Sequence, residues 1–171
     1  GRWGVLTERY SQDVPRKILA LDGGGIRGLM TAQMLLELER QLLDRVGAGS
    51  EDFRLCQYFD YIGGTSTGAI IAAALARGMS AQELLDFYLD FGKTAFTKRN
   101  LFDRWKSLYY DGELEKKLKE VFGADTQLYP KDLKTLLLVV TRNKTTDSAW
   151  PISSNPDAMF NDPGESYCNL Q

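Results

Sequence analysis

The sequence predicts an α/β fold with a central, mainly parallel sheet and helices on both faces. The apolar run 17–21 leads through a glycine-rich turn into a long helical stretch, and the run 59–62 leads through a second glycine-containing turn into an alanine-rich stretch. The third run, 135–140, is apolar enough to be a strand buried on both faces. Strands that alternate with helices in this way form parallel sheets.

Two helices are predicted directly after the glycine-containing turns. The first runs from residue 29 to about residue 46 and carries Leu35, Leu38, Leu42 and Val46 near one face. The second covers residues 67–77, where the many alanines allow close packing on a sheet. Both helices are therefore expected to begin at the carboxyl ends of strands.

Two further helices have recognisable start signals. Ser80 and Glu83 have the spacing of a capping box, which predicts a helix that extends to residue 91. Asp111 precedes an amphipathic stretch that ends at Gly123, so we interpret Asp111 as its N-cap. The last strand, 135–140, follows.

Length and composition limit the classes of function. The 171 residues contain 21 basic and 23 acidic side chains, which gives no long-range attraction to nucleic acid. No stretch approaches the roughly 20 apolar residues that span a bilayer. Cys56 and Cys168 have no framework or metal-site spacing, so reduced thiols in a cytoplasmic protein are expected, with no metal. Residues 1–15 are interpreted as an N-terminal extension, and 143–171 as an irregular tail.

A serine at a glycine-flanked turn is the principal candidate for catalysis. Gly64, Ser66 and Gly68 form a G-x-S-x-G pentapeptide between a predicted strand and a predicted helix, as in a nucleophile elbow. The chain contains no histidine, so a base for Ser66 must be another group. The alternative is a turn whose serine only caps the following helix.

The first glycine-rich turn allows two functional interpretations. Gly23, Gly25 and Gly28 have the spacing of a dinucleotide fingerprint, but that motif requires an acidic residue at the end of a second strand about 20 residues later, where this chain is helix and loop. The other interpretation is an oxyanion hole, in which the amides of Gly24 and Gly25 receive a developing negative charge and Arg27 lies close to an anionic substrate group.

Together, DGGGIRG after the first strand and GTSTG after the second resemble the patatin-like phospholipases, lipid acyl hydrolases with a Ser-Asp dyad. The resemblance implies that Ser66 is the nucleophile, that Gly23, Gly24, Gly25, Arg27 and Gly28 form the oxyanion loop, and that no cofactor is needed. It also implies a base in a later Asp-Gly motif. No suitable motif occurs before residue 171, so we expect this chain to be the N-terminal portion of the catalytic domain.

The expected partners follow from the same resemblance. The substrate would be membrane phospholipid, met at the membrane surface. Residues 141–156 resemble a bacterial subgroup switched on by cyclic nucleotides in antiphage defence, which implies a possible cyclic-nucleotide activator. Residues 93–110 mix basic and aromatic side chains, which suits contact with anionic headgroups, a lid over the acyl pocket or an ordinary connecting loop.

Overall fold

The computed structural model describes residues 3–24, 27–46, 52–96, 113–143 and 145–161. Its sheet has the strand order β1 (Ile18–Leu21), β2 (Tyr61–Thr65), β3 (Leu136–Arg142), β4 (Ala149–Ser153). The first three strands are parallel, and β4 runs antiparallel to β3. The predicted α/β class with a mainly parallel sheet is therefore confirmed.

Helices connect the strands. The α-helices of the described residues are α1 (Thr7–Ser11), α2 (Arg27–Val46), α3 (Leu55–Tyr58), α4 (Thr67–Ala76), α5 (Ala81–Phe96) and α6 (Glu113–Phe122). Single 3-10 turns lie at Gly4–Leu6, Pro130–Asp132 and Met159–Asn161. The capping box of α5 forms as predicted: Ser80 N–H donates to Glu83 Oε2 over 2.8 Å, and Glu83 N–H donates to Ser80 Oγ over 3.1 Å.

One helical layer covers one face of the sheet. Helix α4 contacts β1, β2 and β3, and the buried core joins Ile71 and Leu75 of α4 with Ile62 and Leu137 of the sheet. Helices α2 and α5 pack on each other and on α4. On the opposite face, Ile18 is largely exposed. A helical layer on that face does not occur among the described residues, so this part of the expected architecture stays a prediction.

Residues near the N-terminus are bonded to the amino ends of the strands. Arg9 Nε donates to Asp60 Oδ1 over 2.9 Å, and Tyr10 Oη donates to the Asp60 carbonyl over 2.6 Å. Although burial raises the pKa of Asp60, hydrogen bonds from Lys17 N–H and Arg9 hold it below its ordinary value. The predicted extension 1–15 thus includes a short helix that is tied to β2.

Two sequence predictions need correction. The strand predicted at 59–62 is Tyr61–Thr65, because a helical turn occupies Leu55–Tyr58 and the glycines that suggested a turn belong to the strand. The interpretation of 143–171 as irregular is wrong for Ala149–Ser153, which pairs with β3 as an edge strand. Such an edge strand tolerates Pro151, which lacks an N–H donor, and the prolines of this region are the reason that the sequence predicts no strand here.

A buried carboxylate lies on the inner face of α2. Glu39 is only 8% exposed, and it accepts hydrogen bonds from Leu55 N–H and Ala81 N–H over 3.3 and 3.0 Å. It thereby supplies an acceptor to the first turns of both α3 and α5, whose amides have no partner within their own helices. Burial raises the pKa of Glu39 above its ordinary value, while the two amide hydrogen bonds oppose that shift.

Candidate active site

Ser66 occupies the turn between β2 and α4 in a backbone conformation that is rare for a residue with a side chain. Its φ is 52° and its ψ is −124°, its side chain is exposed, and its hydroxyl makes no capping hydrogen bond to α4. The structure therefore does not support the alternative of a serine that serves as a helix cap. Strained backbone of this kind costs about 1–3 kcal/mol and persists only where the surroundings impose it.

The two glycines of the pentapeptide are required by close backbone contacts. A methyl group at Gly64 would lie 2.2 Å from the carbonyl oxygen of Gly68, and a methyl group at Gly68 would lie 2.2 Å from the carbonyl oxygen of Leu21. Backbone atoms cannot move aside as a side chain can. The absence of both Cβ atoms lets α4 begin directly above the ends of β1 and β2.

Parallel pairing brings the first glycine turn to the same point. Leu21, the last residue of β1, is paired with Gly64 of β2, so residues 22–24 lie beside Thr65 and Ser66. A methyl group at Gly23 would lie 2.6 Å from Ser66 Cβ and 3.3 Å from Ser66 Oγ. The candidate nucleophile and the candidate oxyanion loop, predicted separately, are therefore in contact.

Thr65 was not singled out by the sequence, yet it connects the two turns. Gly23 N–H donates a hydrogen bond to Thr65 Oγ1 over 3.3 Å. The Gly23 amide is thus engaged within the protein, which leaves Gly24 and Gly25 as the expected donors to an oxyanion. The only signal for Thr65 in the sequence is its position next to Ser66.

The other residues of the glycine loop have distinct environments. Gly24 has a φ of +152°, and a methyl group there would lie 3.2 Å from Arg27 Cδ. Arg27 is exposed, and its N–H donates to the Gly24 carbonyl over 3.1 Å. Gly28 lies against Tyr88, where a methyl group would lie 2.8 Å from Cε1, so it packs α2 on α5. Gly25 lies outside the described residues.

Two helices begin at this edge of the sheet. Helix α4 starts at Thr67, directly after Ser66, and α2 starts at Arg27, three residues after Gly24. Each N-terminus carries unpaired amides and the positive end of a helix dipole, which stabilise a nearby anion. The arrangement suits a reaction in which negative charge develops beside Ser66. A dinucleotide fingerprint fits less well, because α2 is still helical at Val46, shortly before the expected acidic strand end.

No carboxylate among the described residues accepts a hydrogen bond from Ser66. Asp22 is exposed, and Asp60 lies at the opposite end of β2 in its contact with Arg9. Asp111, interpreted as a helix cap, lies outside the described residues. The same part of the chain holds no cluster of acidic, cysteine or histidine side chains that could bind a metal ion.

A cavity of about 510 Å³ lies at the far end of α4. Its lining includes Ala73 of α4, Arg77 directly after that helix, Leu118 and Phe122 of α6, and Leu133. Arg77 closes one side through hydrogen bonds to the Phe122 carbonyl and Thr126 Oγ1. The cavity adjoins the last turns of α4, whereas Ser66 precedes its first turn, so this cavity is separate from the candidate site.

Comparison with known proteins agrees with the geometry. Residues 19–162 match the family model described as patatin-like phospholipase. The chain is 34% identical over 166 residues to a cGAMP-activated phospholipase of Escherichia coli, which covers 92% of this chain and 46% of the relative. A cGAMP-activated phospholipase of Vibrio cholerae is 35% identical over 141 residues, with 76% of this chain and 39% of the relative covered.

A plant relative is also similar to this chain. Patatin-17 of Solanum cardiophyllum is 36% identical over 112 residues, which is 60% of this chain and 28% of that protein. The chain thus spans less than half the length of these curated relatives. In the described residues, no helix is both long and apolar enough to cross a membrane.

Proposed function

Because this chain belongs to the patatin-like phospholipase family, we propose that it carries the nucleophile of a lipid acyl hydrolase that releases fatty acids from membrane phospholipids. The observation that supports this most strongly is the position of Ser66. It combines a φ of 52°, an exposed hydroxyl and direct proximity to Gly23 at the start of two helices. A strained serine at this position has no role in capping or packing that would explain it.

The proposed reaction proceeds through an acyl-enzyme. Ser66 Oγ attacks the ester carbonyl carbon, its proton passes to an aspartate, and the amides of Gly24 and Gly25 receive the oxyanion. Collapse of the tetrahedral intermediate expels the lysophospholipid alkoxide, which takes the proton from the aspartic acid. Water, deprotonated by the same carboxylate, then attacks the acyl carbonyl carbon, and the second intermediate collapses by breaking the bond to Ser66 Oγ, which takes the proton back from the aspartic acid as the fatty acid leaves. We place this aspartate on a segment of the natural protein beyond residue 171.

We also propose that a cyclic nucleotide activates the enzyme. The support is that two relatives, which align with 92% and 76% of this chain, are named cGAMP-activated phospholipases. Activation would be measured as phospholipid hydrolysis by the natural protein with and without cGAMP. Equal rates under both conditions would contradict this part of the proposal and leave the hydrolase itself unaffected.

The hydrolase is tested by Ser66→Ala in the natural protein. We expect loss of phospholipid hydrolysis and of labelling by a fluorophosphonate probe, because the probe reacts only with an activated serine. Ser11→Ala is the matched control, since Ser11 is an exposed serine near the opposite end of the strands, and it should leave both readouts unchanged. Labelling that persists in Ser66→Ala would exclude Ser66 as the nucleophile.

A further inference from the structure

The solvent-facing side of α2 changes character along its length. In its first two turns this side presents Met30 and Met34, which are 64% and 72% exposed. Further along the same side, Glu37, Arg40 and Asp44 form ion pairs, with Glu37 Oε1 2.7 Å from Arg40 Nη2. One exposed helix side therefore carries two large apolar side chains beside the exposed Gln33 at one end and ion-paired side chains at the other. We call Met30 and Met34 the methionine ridge.

The apolar end lies beside the candidate active site. Helix α2 begins at Arg27, three residues after Gly24, whereas its charged end lies several turns away. Helix α5 runs antiparallel to α2, since Tyr88 packs on Gly28 and Ala81 N–H reaches Glu39, which brings the exposed Leu89 to the same end. The apolar surface is thus close to the place where a lipid ester would enter.

The chemistry of the ridge fits a bilayer surface. Methionine side chains are flexible and polarizable, so they can enter a fluid acyl layer without a complementary pocket. Met30 and Met34 lie one turn apart on the same side of α2, about 6 Å along the helix axis, so both can enter the boundary between headgroups and acyl chains, where interfacial helices bury an apolar face by roughly 5–10 Å. Exposed Arg27 lies at the same end of α2 as the methionine ridge. Its guanidinium can bind lipid phosphate while the aliphatic part of its side chain lies on apolar surface.

We propose that the methionine ridge inserts into the phospholipid bilayer from which Ser66 draws its substrate. This inference rests on the proposed function and adds the surface by which the protein meets the membrane. The charged half of α2 remains in water, because its ion-paired side chains would lose hydration on insertion. Insertion at this end would present the turn that holds Ser66 to the headgroup layer.

The test uses the natural protein with Met30→Gln and Met34→Gln combined. In a Ser66→Ala background, which prevents lipid breakdown, its partition onto phosphatidylcholine/phosphatidylglycerol vesicles should fall by about tenfold or more, given the burial energy of two methionines. Val5→Gln is the matched control. Val5 is 81% exposed, lies near the amino ends of the strands and should not affect partition. Equal partition of the methionine double variant and the parent would overturn the proposal.

Two further measurements separate the possible failures. With Ser66 intact, Met30→Gln/Met34→Gln should hydrolyse a soluble short-chain ester at the parental rate, since the ridge takes no part in the chemistry. If Ser66→Ala also leaves this rate unchanged, the proposed function fails, whatever the vesicle result. A melting temperature lowered by more than a few degrees in the double variant would mean that protein covers the ridge, which also overturns the docking proposal.

Discussion

Thr65 Oγ1 and Gly23 N are joined by a hydrogen bond of 3.3 Å across 42 residues of sequence. This bond connects the turn that carries Ser66 to the loop that we expect to receive the oxyanion. The pairing of β1 with β2, the close packing at Gly23 and the approach of Gly68 to Leu21 also hold the two turns together. Thr65 is therefore positioned to keep the nucleophile and the oxyanion donors in register.

We expect Thr65→Val to lower kcat for ester hydrolysis about fivefold, which corresponds to the roughly 1 kcal/mol of one neutral hydrogen bond. Valine has the shape of threonine but no acceptor, so the glycine loop would lose its tether. Steady-state kinetics on a soluble ester provide the measurement. Thr65→Ser keeps the hydroxyl and should recover most of the loss; equal impairment in both variants would assign the effect to packing instead.

Ser66→Gly should stabilise the fold by about 1 kcal/mol, because glycine adopts a φ of 52° without the strain that a Cβ imposes. Ser66→Ala keeps the Cβ and should leave stability unchanged. Both variants should lack hydrolase activity, so stability and activity change independently. The measurement is chemical denaturation of both variants beside the parent. If Ser66→Gly proved no more stable than Ser66→Ala, the turn would not be strained.

Gly68→Ala should destabilise the protein by about 3 kcal/mol or more, because its methyl group would overlap the carbonyl oxygen of Leu21. This oxygen cannot move aside, because Leu21 is held in its strand by pairing with β2. Gly63→Ala is the matched control on β2. Its methyl group would meet Leu138 Cβ at 3.3 Å, so a shift of only a few tenths of an ångström would relieve the contact. We expect Gly63→Ala to lower the free energy of unfolding by clearly less than Gly68→Ala does. Similar unfolding midpoints for the two variants would contradict the close approach of α4 to β1.

Glu39 should make stability depend on pH. Burial raises its pKa above the ordinary 4.5, so the folded state holds the proton more tightly than the unfolded chain. Its contribution is therefore fully present below pH 4.5 and is lost as the pH rises through the higher folded pKa. Denaturation measured as a function of pH should reveal this decline, and Glu39→Gln, which cannot ionise, should abolish it. An unchanged pH profile in Glu39→Gln would assign the decline to other groups.

Local sequence signals predicted several elements well. Apolar periodicity and the flanking glycines predicted β1, α2 and α4 to within a few residues, and the spacing of Ser80 and Glu83 predicted the start of α5. Capping bonds and amphipathic spacing involve residues only three or four positions apart, so they can be recognised in the sequence without knowledge of the tertiary structure. Strand β4 was missed because it forms by pairing with β3, while Pro151 within it and the polar residues around it indicated a loop.

The sequence by itself determined the chemical groups of the candidate site: a serine between two glycines, a loop of glycines before a helix, and a chain without histidine. Only the tertiary structure decided their relationship. Parallel pairing of Leu21 with Gly64 brings Gly23 against Ser66, the approach of α4 to β1 sets the backbone of Ser66, and packing of α2 buries Glu39. Each of these depends on contacts between residues distant in sequence, and no local propensity specifies such contacts.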